Sequence, residues 1–227
     1  EPNAEPTMPD ANAPFADTAD ATPPSAARKR PKPGERRIQI LQTLASMLEQ
    51  PGGERITTAA LAARLEVSEA ALYRHFASKA QMFEGLIDFI EETVFGLINQ
   101  IVGREAAEGA GANHGARQAA RIATMLVQFA EKNPGMARVM VGDALVLENE
   151  RLQQRMNQLF DKVEAALKQC LRDSDVAQAS ATPTVDAQVR AAAVTAFVAG
   201  RLQRFARSGF KRLPSEHLES ALQVMLG

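Results

Sequence analysis

Tyr73, Arg74 and His75 stand in succession within Val67-Ser68-Glu69-Ala70-Ala71-Leu72-Tyr73-Arg74-His75-Phe76. A phenol, a guanidinium and an imidazole are groups that hold phosphate oxygens and base edges. Ala70 and Ala71 are small enough to let a helix carrying them lie close to a groove. The combination suits contact with duplex DNA. No comparable set supports enzyme chemistry. His75, His114 and His217 are far apart and lack i,i+4 or cysteine companions, so the spacing of a zinc site is missing. No Gly-Lys-Ser/Thr phosphate loop occurs. Gly109, Gly111 and Gly115 lie in an alanine-rich stretch without the preceding strand that a dinucleotide fingerprint needs. Glu91 and Glu92 are adjacent on a helical pattern and point apart. Neither a catalytic centre, nor a metal, nor a cofactor is expected.

The DNA-facing residues must be held by a helix-turn-helix, and the surrounding sequence supplies one. Ser68 is placed to cap the second helix, with its oxygen on free backbone N–H groups. Val67 and Leu72 stand at the positions of a hydrophobic staple. Leu72 and Phe76, four apart, face the core, which leaves Glu69, Ala70, Tyr73 and Arg74 outside. Thr57 caps the preceding helix, with Ile56 and Leu61 as its staple. The helix carrying Tyr73 is expected to run on through Phe76.

Bulk composition agrees. The 227 residues are 45% apolar but only 5% aromatic, and their formal net charge is -1. That favours packed helices over sheets. The charge is unevenly spread. Residues 1–27 carry acids only, whereas residues 28–79 carry ten basic against five acidic side chains. Positive charge gathers around the proposed reader, as phosphate binding requires. Cys170 is the only cysteine, lies on an apolar stripe and suits a reducing cytosol. No apolar run approaches the roughly 20 residues of a membrane span.

Residues 1–33 are rich in Pro, Ala, Asp and Thr, and the expectation is a disordered acidic head ending in a basic arm, Arg28-Lys29-Arg30-Pro31-Lys32. That arm reads equally as a phosphate tether or a solvated linker. Residues 34–80 form the helix-turn-helix domain and 81–227 a larger helical domain. The first helix spans about Glu35 to Glu49, with Ile38, Leu41, Leu44, Ala45 and Leu48 on one face, and Pro51-Gly52-Gly53 ends it. A fourth helix opens with a Ser78/Gln81 capping box and runs past Ile101 into a flexible loop, Gly109 to Gly115. Ile87 and Phe89 on it lie about 200° apart, so one of them needs a second partner, either core or a groove for a protein tail. Further helices are expected over Arg117–Glu131, near Met136–Met140, and over Glu150–Arg172, Val185–Arg207 and Ser215–Leu226, with a loop from Ser174 to Thr184. The fold class is all-α. Val194, Phe197, Val198, Leu202 and Phe205, with Leu218, Leu222 and Met225, are expected to pair two protomers about a dyad, which would set two recognition helices about 34 Å apart.

Thr57-Thr58-Ala59, followed by Val67-Ser68-Glu69-Ala70-Ala71-Leu72-Tyr73-Arg74-His75-Phe76-Ala77-Ser78-Lys79, resembles the TetR family. Leu86-Ile87-Asp88-Phe89-Ile90-Glu91, Phe129-Ala130-Glu131-Lys132-Asn133-Pro134-Gly135 and Arg204-Phe205-Ala206-Arg207-Ser208-Gly209-Phe210-Lys211 narrow the likeness to its nucleoid occlusion branch. The resemblance covers roughly residues 35–227. It implies a TetR-like fold and a cytoplasmic, nucleoid-associated homodimer on palindromic double-stranded DNA. It leaves open more than one dimer per site. It implies DNA contacts at Thr57, Thr58, Ser68, Ala70, Tyr73, Arg74, His75 and Lys79. It also implies that the DNA-bound form binds the tubulin-like division protein FtsZ, through Phe89, Met125, Gln128, Lys132 and Asn133, and blocks ring assembly over the chromosome. Two departures stand out. Glu66 occupies a turn position where the family usually has glycine, so the turn is either reshaped or strained. Gln128 and Lys132 replace a small residue and an arginine, and lysine lacks the bidentate fork. The alternative is a ligand-responsive repressor of the same family, which would hold a well-formed cavity joined to the fourth helix.

Overall fold

A computed structural model describes residues 32, 34–50, 55–108, 111, 113–177 and 179–227. The expected acidic head and all of its basic arm but Lys32, and the Pro51-Gly52-Gly53 helix stop, lie outside the described residues.

Apolar residues four apart make the first helix. In α1 (Glu35–Leu48) Ile40, Leu44 and Leu48 form one buried row. Ile40 takes the place expected of Ile38, which is exposed. Two short helices follow, α2 (Thr58–Arg64) and α3 (Glu69–Tyr73), and each is capped as its sequence dictates. Thr57 Oγ1 accepts from Ala60 N–H at 3.1 Å and Ser68 Oγ accepts from Ala71 N–H at 3.2 Å. α4 (Lys79–Glu108) begins with Ser78 Oγ accepting from Gln81 N–H at 3.2 Å. Gln81 reaches back one residue beyond the usual box, to Ala77 N–H at 2.8 Å.

The body consists of α5 (His114–Lys132), α6 (Pro134–Met140), a 3₁₀ turn (Asp143–Leu145), α7 (Glu150–Ala177), α8 (Pro183–Arg207) and α9 (Leu218–Leu226). Residues 32–227 form one compact unit. No strand occurs among the described residues, and no helix among them is long and apolar enough to cross a membrane. α7 and α8 pack along each other, with the row Leu152, Met156, Leu159, Val163, Leu167 and Leu171 inside. Burying six such side chains stabilises the body by roughly 10 kcal/mol before chain entropy is counted.

Several boundaries differ from the sequence reading. Pro134 opens α6 instead of only ending α5, because the missing proline N–H is one that a first helical turn leaves unpaired anyway. Gly115 belongs to the first turn of α5, not to a loop. A Cβ there would lie 1.9 Å from the Cys170 carbonyl oxygen, so only glycine lets α5 meet α7. α7 continues through Ser174 and Asp175, both buried, because Arg190 of α8 pairs with Asp175 at 2.8 Å.

The expected dimerisation set is also revised. Val194, Val198, Leu202, Phe205, Leu218 and Leu222 are buried inside their own protomer. Phe197 is half-buried, with the Arg201 guanidinium 4.8 Å above its ring. The helix is apolar on more than one side, and the period alone did not say which side turns inward. The outward side of α8 carries Val185, Val189, Ala193 and Ala196, all exposed.

Contacts from α6 and α7 fix α1 and α4 on the body. A Cβ on Gly135 would stand 2.4 Å from the Ala45 carbonyl oxygen, so α6 touches the α1 backbone. Arg138 Nη1 donates to the Leu48 carbonyl at 3.0 Å and its Nε pairs with Asp143. Arg155 of α7 bridges Asp88 (2.8 Å) and Glu91 (2.7 Å) of α4, and Arg151 pairs with Glu84. Burial works against the charge on Arg155, but the hydrogen bonds to Glu91 and Asp88 outweigh it and raise the pKa further above the ordinary arginine value.

Candidate nucleic-acid interface

The turn between α2 and α3 sets the pose of the reader. Val67 N–H bonds to the Ala62 carbonyl (3.0 Å) and Glu66 N–H to the Ala63 carbonyl (3.1 Å), the two bonds of a Schellman motif. That motif puts its C′ residue in the left-handed region, and Glu66 is there at φ 54°. Of the two alternatives for this turn, the strained one is realised. The cost for a residue with a Cβ is roughly 1 kcal/mol.

Helix α3 is shorter than expected. It ends at Tyr73, and Arg74 and His75 form a turn in which His75 N–H and Phe76 N–H both bond to the Leu72 carbonyl, at 2.9 and 3.1 Å. Leu72 and Phe76 are buried as their spacing implies. Arg37 of α1 secures this end: its Nη1 donates to the His75 carbonyl at 2.8 Å and its guanidinium lies 4.1 Å above the Phe76 ring. The sequence gives no local hint of Arg37, since its partners are 38 and 39 residues away.

The other side of α3 is open. Ala70, Tyr73, Arg74 and His75 are exposed, and Thr57 and Ser68 are exposed at the two caps. Tyr73 keeps 46% of its surface accessible, high for an aromatic residue in a packed domain. Thr58 is half-buried and donates its hydroxyl to Glu69 at 2.7 Å, tying the first turn of α2 to that of α3. Lys79 is drawn away from this face: its ammonium is 2.5 Å from Glu148 Oε1. The outward surface therefore holds two caps, one small residue, one phenol, one guanidinium, one imidazole and the Glu69 carboxylate, which the Thr58 hydroxyl holds. Such a surface can bind phosphate and reach base edges.

A second cluster lies on α4 and α5. Phe89 is exposed and its ring centroid is 6.1 Å from that of Phe129, while Ile87 is fully buried. Met125 is half-buried, and Gln128 and Lys132 are exposed along α5. Asn133 Nδ2 donates to the Phe129 carbonyl at 2.9 Å, so it shapes the end of α5. The sequence reading did not single out Phe129 as the wall behind Phe89; an aromatic four residues after Met125 on the same stripe was the available signal. An open groove of about 860 Å³ runs between α5 and α9, past Ala116, Ala120, Met125, Gln128, Leu222 and Leu226, and no residue of α4 lines it. Among the described residues no group of three or more His, Cys, Asp or Glu side chains could hold a metal ion.

Comparison with known proteins identifies the family. Residues 40–86 match the family model of bacterial regulatory proteins of the tetR family, and residues 116–226 match the SlmA-like form of the tetracyclin repressor-like C-terminal domain. The chain is 48% identical over 190 residues to the nucleoid occlusion factor SlmA of Idiomarina loihiensis, covering 84% of this chain and 93% of that one. It is 49% identical over 185 residues to the SlmA of a Marinomonas species, covering 82% and 90%. Among solved structures, a TetR-family transcriptional regulator from Bordetella parapertussis superimposes with a TM-score of 0.64 at 15% identity, over 86% of this chain and 95% of that one.

Proposed function

The chain belongs to the SlmA family of nucleoid occlusion factors, DNA-binding regulators with a TetR-type fold and no enzymatic role, and from that premise we propose that it acts as a homodimer on palindromic duplex DNA and there binds FtsZ, blocking ring assembly over the chromosome. In this reading residues 34–80 read DNA, residues 81–227 dimerise and bind the partner, and the protein works on the nucleoid in the cytoplasm.

The observation that carries the proposal is that one chain holds two separate outward clusters. Ala70, Tyr73, Arg74 and His75, with the caps Thr57 and Ser68, are turned away from the core. Phe89, with Met125, Gln128 and Lys132, offers an apolar and cationic surface on another part of the molecule. An exposed phenylalanine beside a second aromatic ring is the kind of surface that buries an apolar side chain of a partner. Asn133 serves that surface by holding the Phe129 carbonyl, and Thr58 serves the DNA surface by holding Glu69. The exposed side of α8, Val185, Val189, Ala193 and Ala196, provides a self-complementary apolar strip for the dyad.

A ligand-responsive repressor would place an enclosed cavity against α4, so that a small molecule could move the reader. The groove between α5 and α9 is open and has no wall from α4, which favours the adaptor. The test is co-sedimentation of polymerised FtsZ with the protein, with and without a palindromic duplex. The adaptor predicts loss of polymer that depends on the duplex, and Phe89→Ala abolishes that loss while leaving DNA binding intact. Equal polymer with and without DNA refutes the reading.

A further inference from the structure

Glu148 is the carboxylate that removes Lys79 from the DNA-facing surface, and it holds a second cation. Arg55 Nε lies 3.4 Å from the same Oε1, and Arg55 Nη2 donates to the Leu147 carbonyl at 3.2 Å. Arg55 precedes α2, Lys79 is the first residue of α4, and Glu148 sits between the 3₁₀ turn and α7. One carboxylate of the body thus grips the helix-turn-helix at its entry and at its exit.

The charges on the two sides differ in their surroundings. The Glu148 side chain is only 8% exposed, and a carboxylate withdrawn from water to that degree needs its cations. A lysine beside a DNA surface has another anion available, the phosphodiester, and its ammonium cannot pair fully with both. Besides Arg55 and Lys79, the segment bearing Glu148 is held by the Glu148 N–H on the Leu145 carbonyl at 3.0 Å and by the Leu152 N–H on the Asn149 carbonyl at 2.9 Å. Leu147 has φ 70°, a left-handed conformation unusual for a leucine, and the Val146 and Leu147 side chains point into solvent. A left-handed leucine is kept only while its surroundings hold it, so loss of the Lys79 contact loosens the segment. It leads directly into α7, whose Arg151 and Arg155 grip Glu84, Asp88 and Glu91 on either side of Phe89.

We infer that Glu148 is a positioning residue for DNA binding: it latches Arg55 and Lys79 to the body in the free protein, and duplex phosphate displaces it from Lys79. DNA binding then releases residues 146–149 at the point where the reader meets α7. The inference concerns DNA binding alone and stands or falls independently of the FtsZ proposal.

The test uses the full chain and a random-sequence duplex at low salt. Glu148→Gln keeps the shape and removes the charge. It is expected to bind the duplex about fivefold more tightly, because Lys79 then reaches phosphate without first leaving a carboxylate. In a chain already carrying Lys79→Gln, Glu148→Gln is expected to give no gain over Lys79→Gln alone, a coupling that a purely structural role of Glu148 would not produce. Equal or weaker binding by Glu148→Gln, or a gain that survives in the double variant, overturns the latch. Amide hydrogen exchange on the unaltered chain gives a second reading that needs no variant to fold. Exchange across 146–149 is expected to quicken when duplex is added, and unchanged or slower exchange there overturns the inference equally.

Discussion

Replacing Gly135 by alanine tests how tightly the reader is seated on the body. The added methyl would stand 2.4 Å from the Ala45 carbonyl oxygen, 3.3 Å from the Ala45 carbonyl carbon and 3.2 Å from the Leu48 Cβ. The obstructing atom is backbone within α1, so no rotamer change can clear it. Either α6 or α1 must retreat by roughly an ångström, which weakens the Arg138 bond to the Leu48 carbonyl as well. Overpacking of this kind costs about 3 kcal/mol. Alanine in place of a helical glycine returns about 1 kcal/mol. The net loss is therefore about 2 kcal/mol, or about 4–8 °C in Tm for a chain of this size. Gly96, also helical, has nothing within 4 Å of its would-be Cβ, so Gly96→Ala shows the propensity gain alone and raises Tm by about 2–4 °C. Thermal unfolding followed by far-UV circular dichroism, at one protein concentration because dimers respond to it, measures both. A Gly135→Ala chain as stable as Gly96→Ala would show that the α1–α6 contact is looser than described, and the argument would fail.

Glu66→Gly relieves the left-handed turn and is expected to stabilise the chain by about 1 kcal/mol in urea unfolding, with DNA affinity unchanged. Tyr73→Ala is expected to weaken binding to a palindromic duplex about tenfold in a fluorescence anisotropy titration while Tm stays near the parent, since the side chain is exposed and the core positions Leu72 and Phe76 beside it are untouched. Val189→Glu is expected to shift the chain from dimer to monomer in sedimentation equilibrium without unfolding it. Val194→Glu, five residues further along and buried on the opposite side, should instead lower stability sharply.

The parts of the structure that depend on neighbours in the chain were legible beforehand. Thr57 and Ser68 cap the helices they precede because a hydroxyl two or three residues from free N–H groups needs no further context. Leu72 and Phe76 are inside because the four-residue period puts them together. The angle between Ile87 and Phe89 implied that one of them needs a second partner, and Phe89 is that residue, half-exposed and resting on Phe129. Features set by distant segments were hidden. Ile38 and Ile40 offer the same chemistry, and only the placement of the helices packed on α1, namely α2, α4 and α6, decides which is buried. α8 is apolar enough on several sides that its inner and outer faces exchange in a reading by period alone. Gly115 resembles any loop glycine until α7 is laid against it. Lys79 matches a DNA contact by motif, and only the segment ahead of α7, 69 residues later, turns its ammonium aside.

Helix α3 covers five residues, fewer than two turns, and such a length has no helical stability of its own in water. Its shape is on loan from the capping serine, the buried Leu72 and Phe76, and the Arg37 clamp reaching over from α1. Sequence discrimination by this protein is therefore not stored in the residues that would touch bases alone. Changes in α1, remote from any nucleotide, should blur operator choice by letting the short rod wobble. Evolution of new binding sites in this lineage has a route through the support as well as through the reading surface.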